Sequence, residues 1–311
     1  MRSSAASDVY KRQTSMSGAV INKYGTQNAE WETGRKLNLG LDLSLFNSLN
    51  VTMELFREIR SGIFMQRQVI PAETGIVGTN PYANLGKVKN EGIDLSLEYN
   101  KAFSEDVILN LRGTLTYNKN TLLERDEPQL PYDYLSDIGK PLNRYKGLIA
   151  EGLYKDEEDI ANSPKSTFTP DMIKPGDIKY KDLNEDGKID ELDMTQIGNP
   201  TIPQLVYGFG GSFQYKRFDV GVFFQGIGKV SLMMSNIHPY TADESVLFDW
   251  IAKERWTEDN PNPNATYPRL ISKAPEGFNN YQNSTYWLRN AAFLRLKNAE
   301  VGYTYKNVRF Y

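Results

Sequence analysis

Long stretches of the sequence alternate strictly between apolar and polar residues. In the segment KLNLGLDLSLF, leucines occupy every second position from Leu37 to Leu45, with polar residues or glycine between them. Successive side chains of a β-strand point to opposite faces, so this spacing predicts a strand with one continuous apolar face. The alternation recurs at residues 93–99, 109–117 and 205–215. A soluble sandwich and a membrane barrel both contain such strands, so alternation alone leaves both open.

The lengths of the strands and of their connections favour the barrel. The predicted strands run about ten to fifteen residues, against about five or six in soluble sheets. Tight turns are predicted at residues 46–49, 101–106 and 216–218 and near Lys306, and long polar segments cover residues 61–86, 120–201 and 229–290. Short turns on one side and long loops on the other are typical of an antiparallel outer-membrane β-barrel. Tyr99 and Tyr215, near strand ends, suit an aromatic girdle or an ordinary half-buried sheet position.

The barrel scheme also predicts where residues 144–155, RYKGLIAEGLYK, must lie. These residues have the composition of a strand. Short and long connections must alternate, so a long segment contains either no membrane crossing or an even number of them. We therefore predict that residues 144–155 lie in the outer loop and do not cross the membrane alone.

Composition narrows the function classes. The chain has 311 residues, a net charge of −3, no cysteine and one histidine. A slightly acidic chain is a poor nucleic-acid binder, and no apolar run reaches the ~18 residues of a membrane helix. Residues 1–13 are polar and patternless, lack the apolar core of a signal peptide, and are predicted to be a non-native or unstructured leader. The remaining residues, 14–311, are predicted to form one partial barrel.

A second motif lies inside the longest loop, in the segment DLNEDGKIDELD. Its oxygen-bearing residues match the calcium-loop pattern D-x-[DN]-x-[DN]-G, with Gly187 at the sharp turn and the Lys188 carbonyl at position seven. The predicted metal ligands are Asp182, Asn184, Asp186, Lys188, Asp190 and Asp193. An aspartate stands at position twelve instead of the usual glutamate, so its shorter side chain closes the site less readily. A surface turn without metal is the alternative.

The residues around this motif predict what an ion would do. Pro175 and Gly176 precede it and IGNP, residues 197–200, follows it, which leaves no room for the two helices of an EF-hand. A calcium ion here would be structural, bracing the loop.

Several segments together resemble one family, the SusC/RagA-type TonB-dependent outer-membrane transporters of Bacteroidetes. They occur in the family's order and cover most of residues 28–305. The segments are NAEWETGRKLNLGLDLSLF, LGKVKNEGIDLSLEYN, LTYNKNTL, IGKPLNRYKGLIAEGLYK, PGDIKYKDLNEDGKID, IGNPTIPQLVYGFGGSFQYKRFDVGVFFQG, RWTEDNPNPNATYPRL and YWLRNAAFLRLKNAEVGYTY.

The resemblance implies a segment of a plugged barrel of ~22 strands that imports oligosaccharides or peptides. It implies an outer-membrane location in a Gram-negative, Bacteroidetes-type cell and contact with outer-membrane lipid. The implied partners are a SusD-like surface lipoprotein, which closes over the mouth, and the TonB complex, which acts through an N-terminal region not found in this sequence. No signal peptide, TonB box or plug domain is recognised, and the sequence ends before the family's final strands, so we expect an incomplete barrel of roughly eight crossings.

No catalytic constellation is found, and we predict that the chain is not an enzyme. His238 is the one histidine and lies in a polar loop, so a nucleophilic triad has one possible base. The neighbouring carboxylates Glu157 and Glu158 are better explained as a solvated face or short loop helix than as a glycosidase pair. The segments HPY, residues 238–240, and GFNNYQNSTYW, residues 277–287, combine rings and amides in a way that suits sugar or peptide binding. The alternative function is therefore a secreted soluble β-protein that binds carbohydrate.

Overall fold

The computed structural model describes residues 25–26, 28–70, 80–234, 248–271, 275 and 277–305. These residues include fifteen strands, which form one large sheet and four small ones, and two short α-helices. The strands are β1 (Thr33–Leu45), β2 (Leu49–Gln66), β3 (Tyr82–Ser104), β4 (Val107–Glu124), β5 (Tyr145–Gly147), β6 (Ala150–Leu153), β7 (Lys165–Ser166), β8 (Ile178–Tyr180), β9 (Lys188–Ile189), β10 (Thr195–Ile197), β11 (Leu205–Tyr215), β12 (Phe218–Gly228), β13 (Ser231–Met233), β14 (Leu288–Asn290) and β15 (Phe293–Tyr303). The helices are Glu157–Ala161 and Asp249–Glu254.

The large sheet is antiparallel throughout, in the order β1-β2-β3-β4-β11-β12-β15. Consecutive strands are neighbours, and tight turns join β1 to β2, β3 to β4 and β11 to β12, as the sequence predicts. The fourth predicted turn, near Lys306, lies outside the described residues. The strands also extend into the segments assigned to loops: β2 continues to Gln66 and β3 begins at Tyr82. Seven strands of the described residues belong to this sheet, where the sequence suggested roughly eight.

One face of the large sheet is apolar from edge to edge, which we call the outward face. On the first four strands, the paired residues Leu41, Met53, Leu95 and Leu115 form one row of this face. It continues through Tyr207 and Phe209 on β11. Its side chains are open to the surroundings: Leu37 is 69% exposed and Val301 is 78% exposed. No described residue forms a second protein layer over these rows, which a soluble sandwich requires.

A β-bulge preserves this face on the last strand. The pairing of β12 with β15 shifts between Phe223 and Phe224. Because a one-residue slip exchanges the two faces of a strand, the apolar positions of β15 change parity across the bulge. Leu294 and Leu296 lie on the outward face before it, and Ala299, Val301 and Tyr303 lie there after it.

Tyr99 and Tyr215, the two tyrosines considered for an aromatic girdle, both lie at the tight-turn end. Tyr215 pairs with Phe218 across the hairpin, and Phe218 pairs with Tyr303. The rings of Phe218 and Tyr303 are 4.8 Å apart between centroids. Tyr99 lies at the same end of β3, opposite Leu49 and Leu111.

Residues 144–155 form β5 and β6, and neither strand joins the large sheet. β5 pairs with β10, and β6 pairs with β8, all within the segment that connects β4 to β11. The prediction that this stretch is not a separate crossing is confirmed. Among the described residues, no helix has the length and apolar character needed to cross a membrane.

Candidate functional site: the loop lobe and the lumen wall

Two long connections fold together into a compact unit, which we call the loop lobe. It comprises the described residues of 125–204, between β4 and β11, and of 229–292, between β12 and β15. Its core is contributed by both connections: Leu148, Leu153, Ile178, Tyr180, Ile189 and Ile197 from the first, and Met233, Ile251, Trp256, Ala265, Tyr267 and Trp287 from the second. Buried apolar side chains of the described residues are concentrated here, because the large sheet leaves its apolar face uncovered.

A buried ion pair joins the two halves of the loop lobe. Asp177 is fully buried, and its Oδ2 accepts a hydrogen bond from Nη2 of Arg269 at 2.9 Å. Nε of Arg269 lies 2.7 Å from Oδ1 of Asp177. Oδ1 also accepts from the amide of Asn280, and Oδ2 from the backbone N–H of Lys174. Burial raises the pKa of Asp177, and the hydrogen bond and charge of Arg269 act in the opposite direction. Of the groups that lower this pKa, Arg269 has the largest effect, ahead of the hydrogen bonds from Lys174 and Asn280.

The amides of residues 277–287 serve the interior of the loop lobe instead of a ligand. Asn279 and Asn280 are fully buried, and their side chains bond the backbone of Ile178 on both sides, at 2.8 Å and 2.9 Å. The indole N–H of Trp287 donates to the carbonyl of Asn280, and the side chain is 1% exposed. The suggestion that these rings and amides bind sugar or peptide is therefore wrong for them. They satisfy backbone groups that would otherwise be buried without partners. The other suggested segment, with His238, lies outside the described residues.

The tyrosines of the loop lobe are held in their neutral form. Burial raises the pKa of Tyr154 to about 12, and the charges of Asp159 and Asp177 contribute in the same direction. Burial also raises the pKa of Tyr180, whose hydroxyl donates to the carbonyl of Asn279 at 2.8 Å. The Tyr180 phenol therefore acts as a hydrogen-bond donor within the lobe at neutral pH.

An open groove of about 640 Å³ runs along the surface of the loop lobe. Charged side chains of both signs line it: Glu157, Lys174, Arg255, Glu258 and Arg269. Trp256 forms part of its floor and packs on Gly176, where an added Cβ would lie 2.3 Å from the indole ring. Gly176 also has a φ of +85°. This groove could not be found from the sequence, because its residues come together only when the two connections pack.

The Asp/Asn loop forms the tight turn predicted for it. Gly187 at its sixth position has a φ of +83°, and Glu185 has a φ of +60°. Asp182 accepts hydrogen bonds from the backbone of Glu185 and Gly187, at 2.7 Å and 2.8 Å. Asp186 accepts from the N–H of Lys188 at 2.9 Å. The curl of the chain is thus fixed by its own side chains.

The last positions of the loop close it through hydrogen bonds. Asp193 is fully buried, and its two oxygens accept from the backbone of Leu183 and Asp190, at 2.7 Å and 2.8 Å. Burial raises the pKa of the Asp193 carboxyl. Asp190 caps the 3₁₀ turn Glu191–Asp193. No EF-hand helix flanks the loop among the described residues, where β8 precedes it and this short turn ends it.

The fit of this loop to calcium is partial. Its ligands are oxygen atoms, which calcium prefers, and each hydrogen-bonded carboxylate oxygen keeps acceptor capacity. Burial raises the pKa of Tyr134, and the charges of Asp193, Asp182 and Asp186 raise it further, so these carboxylates share one region. In the part of the chain that the structure describes, however, no three acidic, histidine or cysteine side chains converge closely enough to hold a metal. Ligation would need Asn184 and the Lys188 carbonyl as well.

The carboxylates Glu157 and Glu158 occupy the first turn of a short helix, as predicted. Asp156 caps this helix by accepting from the N–H of Asp159 at 2.8 Å. Both glutamates are exposed. Carboxylates in a first helical turn are stabilised by the helix dipole and need no catalytic explanation.

The polar face of the large sheet, which we call the lumen wall, has a pocket of about 340 Å³ near the tight-turn end. The guanidinium of Arg112 lies 4.3 Å from the ring centroid of Phe223. Glu98 and Glu300 border the same pocket. Gly208 and Gly210 leave room for the Phe223 ring, because an added Cβ at either would lie within 2.9 Å of it. The lumen wall thus offers a cation and an aromatic ring beside two carboxylates.

Comparisons with known proteins agree with this geometry. The family model described as TonB dependent receptor-like, β-barrel, matches residues 4–311. TonB-dependent receptor P3 of Formosa agariphila is 26% identical over 301 residues, covering 93% of this chain and 28% of that protein. TonB-dependent receptor SusC of Bacteroides thetaiotaomicron is 23% identical, covering 91% of this chain and 27% of that protein. The chain therefore spans less than a third of the length of these relatives.

Solved structures share the fold. The structure of the RagAB peptide transporter superimposes with a TM-score of 0.65 at 22% identity, covering 92% of this chain and 30% of that one. The RagAB peptide importer in its open-open state gives a TM-score of 0.66 over 94% of this chain and 30% of that one. The predicted fold class, a segment of a transmembrane β-barrel, is confirmed.

Proposed function

The chain belongs to the TonB dependent receptor-like β-barrel family, and on that premise we propose that it supplies barrel wall and outer loops to an outer-membrane nutrient importer. The wall is the seven-stranded sheet, and the loops are the loop lobe. Uptake would proceed along the lumen wall, with no catalytic step on this chain. The membrane would be the outer membrane of a Gram-negative, Bacteroidetes-type cell.

One observation carries this proposal: the outward face of the sheet is apolar and uncovered from β1 to β15. Leu39 is 66% exposed and Leu296 is 53% exposed. Monomeric soluble proteins rarely expose apolar patches of more than a few hundred Å², whereas a barrel presents such a band to hydrocarbon. A soluble carbohydrate-binding protein, the alternative, would have to cover this face with a second layer.

The cargo and partners are proposed from the resemblance. We propose that the importer takes up oligosaccharides or peptides, that a SusD-like surface lipoprotein closes over the loop lobe, and that the TonB complex supplies energy through another part of the protein. RagAB is described as a peptide transporter, which supports peptides as one class of cargo. The open groove beside Trp256 is one surface on which the lipoprotein or the cargo would lie.

Cell fractionation tests the proposed location and function together. We expect the full-length protein that carries this chain to sediment with the outer membrane, to need detergent for extraction, and to co-purify with a surface lipoprotein. Its deletion should abolish growth on one class of oligosaccharide or peptide. Recovery of a folded protein in plain buffer, with no detergent, would contradict the proposal and favour the soluble alternative.

We also propose that the Asp/Asn loop binds one structural calcium ion through Asp182, Asn184, Asp186, the Lys188 carbonyl, Asp190 and Asp193. The register of the oxygen-bearing residues with Gly187 supports this proposal. Calcium would draw the side chains into one shell and stiffen a loop that hydrogen bonds already curl. The ion would keep the neighbouring surface of the loop lobe fixed for its partner.

Calcium titration of the full-length protein tests this site. We expect Asp186→Ala to weaken calcium affinity at least tenfold, a loss of about 1.4 kcal/mol, because it removes one charged ligand. Glu185→Gln, in the same loop but outside the ligand pattern, is the matched control and should bind like the wild type. Equal calcium affinity in wild type and Asp186→Ala would eliminate the site and leave the hydrogen-bonded turn as its explanation.

A further inference from the structure

The outward face changes character at one level near the loop-side ends of β1 to β4. Towards the tight turns, its side chains are apolar, including Leu55 and Ile93, with the exception of Lys101 near the turn from β3 to β4. Directly beyond them, five basic residues share the same face, which we call the cationic rim: Arg35, Arg57, Lys87, Lys89 and Lys119. By contrast, none of the outward positions on β11, β12 and β15 is charged. β11 begins at Leu205, opposite Tyr117, one row short of Lys119, so the cationic rim occupies the part of the sheet where only β1 to β4 continue.

The register places these side chains close together. Arg57 lies opposite Glu91, and Glu91 lies opposite Lys119, in one row across three strands. Lys89 belongs to the next row, in which Ile59 pairs with both Arg35 and Lys89. Neighbouring strands are about 4.8 Å apart, so the five basic residues span about 15 Å across the four strands.

Two carboxylates on the same face neutralise part of this charge and leave an excess. Glu91 accepts from Nη2 of Arg57 at 2.9 Å and lies 2.7 Å from Nζ of Lys89. Glu124 lies 2.8 Å from Nζ of Lys87. Arg35 and Lys119 are exposed and have no ion-pair partner among the described residues, and the side chain of Arg57 is still 55% exposed. Five cations against two carboxylates form an anion-binding surface.

The position of this surface indicates which anion it meets. It continues the apolar band without a break, so in a bilayer it lies where hydrocarbon gives way to headgroups. Long basic side chains at this depth extend their charge to the interface while their methylene chains stay with the acyl chains. A soluble anion would meet only the charges, whereas a lipid would meet the charges and the adjoining leucines.

We propose that the cationic rim binds the phosphate groups of a phosphorylated lipid in the outer leaflet, and so fixes the depth and rotational position of this wall. The inference rests on the proposed function, since it requires the outward face to meet a bilayer. It assigns no role to the lumen wall or the loop lobe.

Lipid binding to the full-length protein in nanodiscs of phosphatidylcholine, which is zwitterionic and has no net charge, tests this proposal. The probe is diphosphorylated lipid A, compared with its dephosphorylated form and with inorganic phosphate. The variant is Arg35→Gln/Lys119→Gln, which removes two rim charges without stripping a carboxylate of its partner. The matched control is Lys36→Gln/Arg295→Gln, which removes two charges from the opposite face and leaves Glu58 paired with Arg60.

We expect the rim variant to bind diphosphorylated lipid A about twenty-fold more weakly, because each basic residue near an anionic surface contributes a factor of about five. The control should bind like the wild type, and dephosphorylated lipid and inorganic phosphate should bind poorly to all three proteins. Unchanged binding by the rim variant, or equal loss in the control, would overturn the inference. Inorganic phosphate competing fully at millimolar concentration would also overturn it.

Protease protection in the phosphatidylcholine nanodiscs separates this result from the proposed function. Insertion of the wild type into these nanodiscs supports the barrel, whether or not lipid A binds to the cationic rim. Failure to insert would overturn the barrel and, with it, the lipid site.

Discussion

Replacing Leu95 with arginine is expected to prevent the barrel from assembling. Leu95 lies in the middle of the outward face of β3, between Met53 on β2 and Leu115 on β4. An arginine on the lipid face of a barrel costs about 2–4 kcal/mol at the bilayer midplane. At the denaturation midpoint of the wild type, the ratio of folded to unfolded protein should fall by about thirtyfold or more, so the folded fraction should fall from one half to about one thirtieth or less. Heat-modifiable mobility of the full-length protein refolded into vesicles measures this fraction.

The neighbouring residue provides the control. Ser96 lies on the lumen wall, opposite Thr52 and Thr114. Ser96→Arg adds the same charge to the same strand, but its guanidinium would meet water, so we expect near wild-type assembly. Similar losses in Leu95→Arg and Ser96→Arg would contradict the assignment of the two faces.

Replacing Arg269 with methionine is expected to unfold the loop lobe while the barrel remains intact. The substitution keeps most of the apolar stem but leaves the Asp177 carboxylate fully buried without its cation. Removing one partner of a buried ion pair costs about 3–5 kcal/mol. Hydrogen exchange of the loop lobe in the membrane-inserted protein should therefore accelerate by two orders of magnitude or more.

Two companion variants decide whether the unpaired charge is the cause. Asp177→Asn/Arg269→Met removes both charges and should restore much of the protection. Lys253→Met breaks the pair with Asp249, in which both side chains are more than two-thirds exposed, and should change little. If the double variant is as unprotected as Arg269→Met, the lobe depends on the packing of Arg269 and not on its charge.

The wall could be predicted from the sequence because strand alternation is a local property. The position of each leucine between Leu37 and Leu45 in the alternation determines the face of the sheet on which it lies. The tight turns set the register of the hairpins. The bulge on β15 is visible too, since apolar residues pass from even positions, Leu294 and Leu296, to odd ones, Val301 and Tyr303. Residues 144–155 could also be placed in the outer loop, because short and long connections must alternate.

The loop lobe could not be predicted in the same way. Asp177 and Arg269 are 92 residues apart, and nothing near either residue identifies its partner. Asn279 and Asn280 resemble exposed loop amides until β8 packs against them. The curl of the Asp/Asn loop follows from Gly187 and its spacing, whereas the hydrogen bonds that bury Asp193 depend on the fold around it.

Lipid contact along β3 tests the central claim most directly. The chain has no cysteine, and once any cysteine elsewhere in the full-length protein has been replaced, single cysteines at positions 93 to 99 can each carry a nitroxide label. In vesicles, the account predicts that oxygen dissolved in the bilayer reaches positions 93, 95, 97 and 99, and that an aqueous nickel complex reaches 94, 96 and 98. Uniform accessibility along the strand, or odd positions shielded from both reagents, would contradict it.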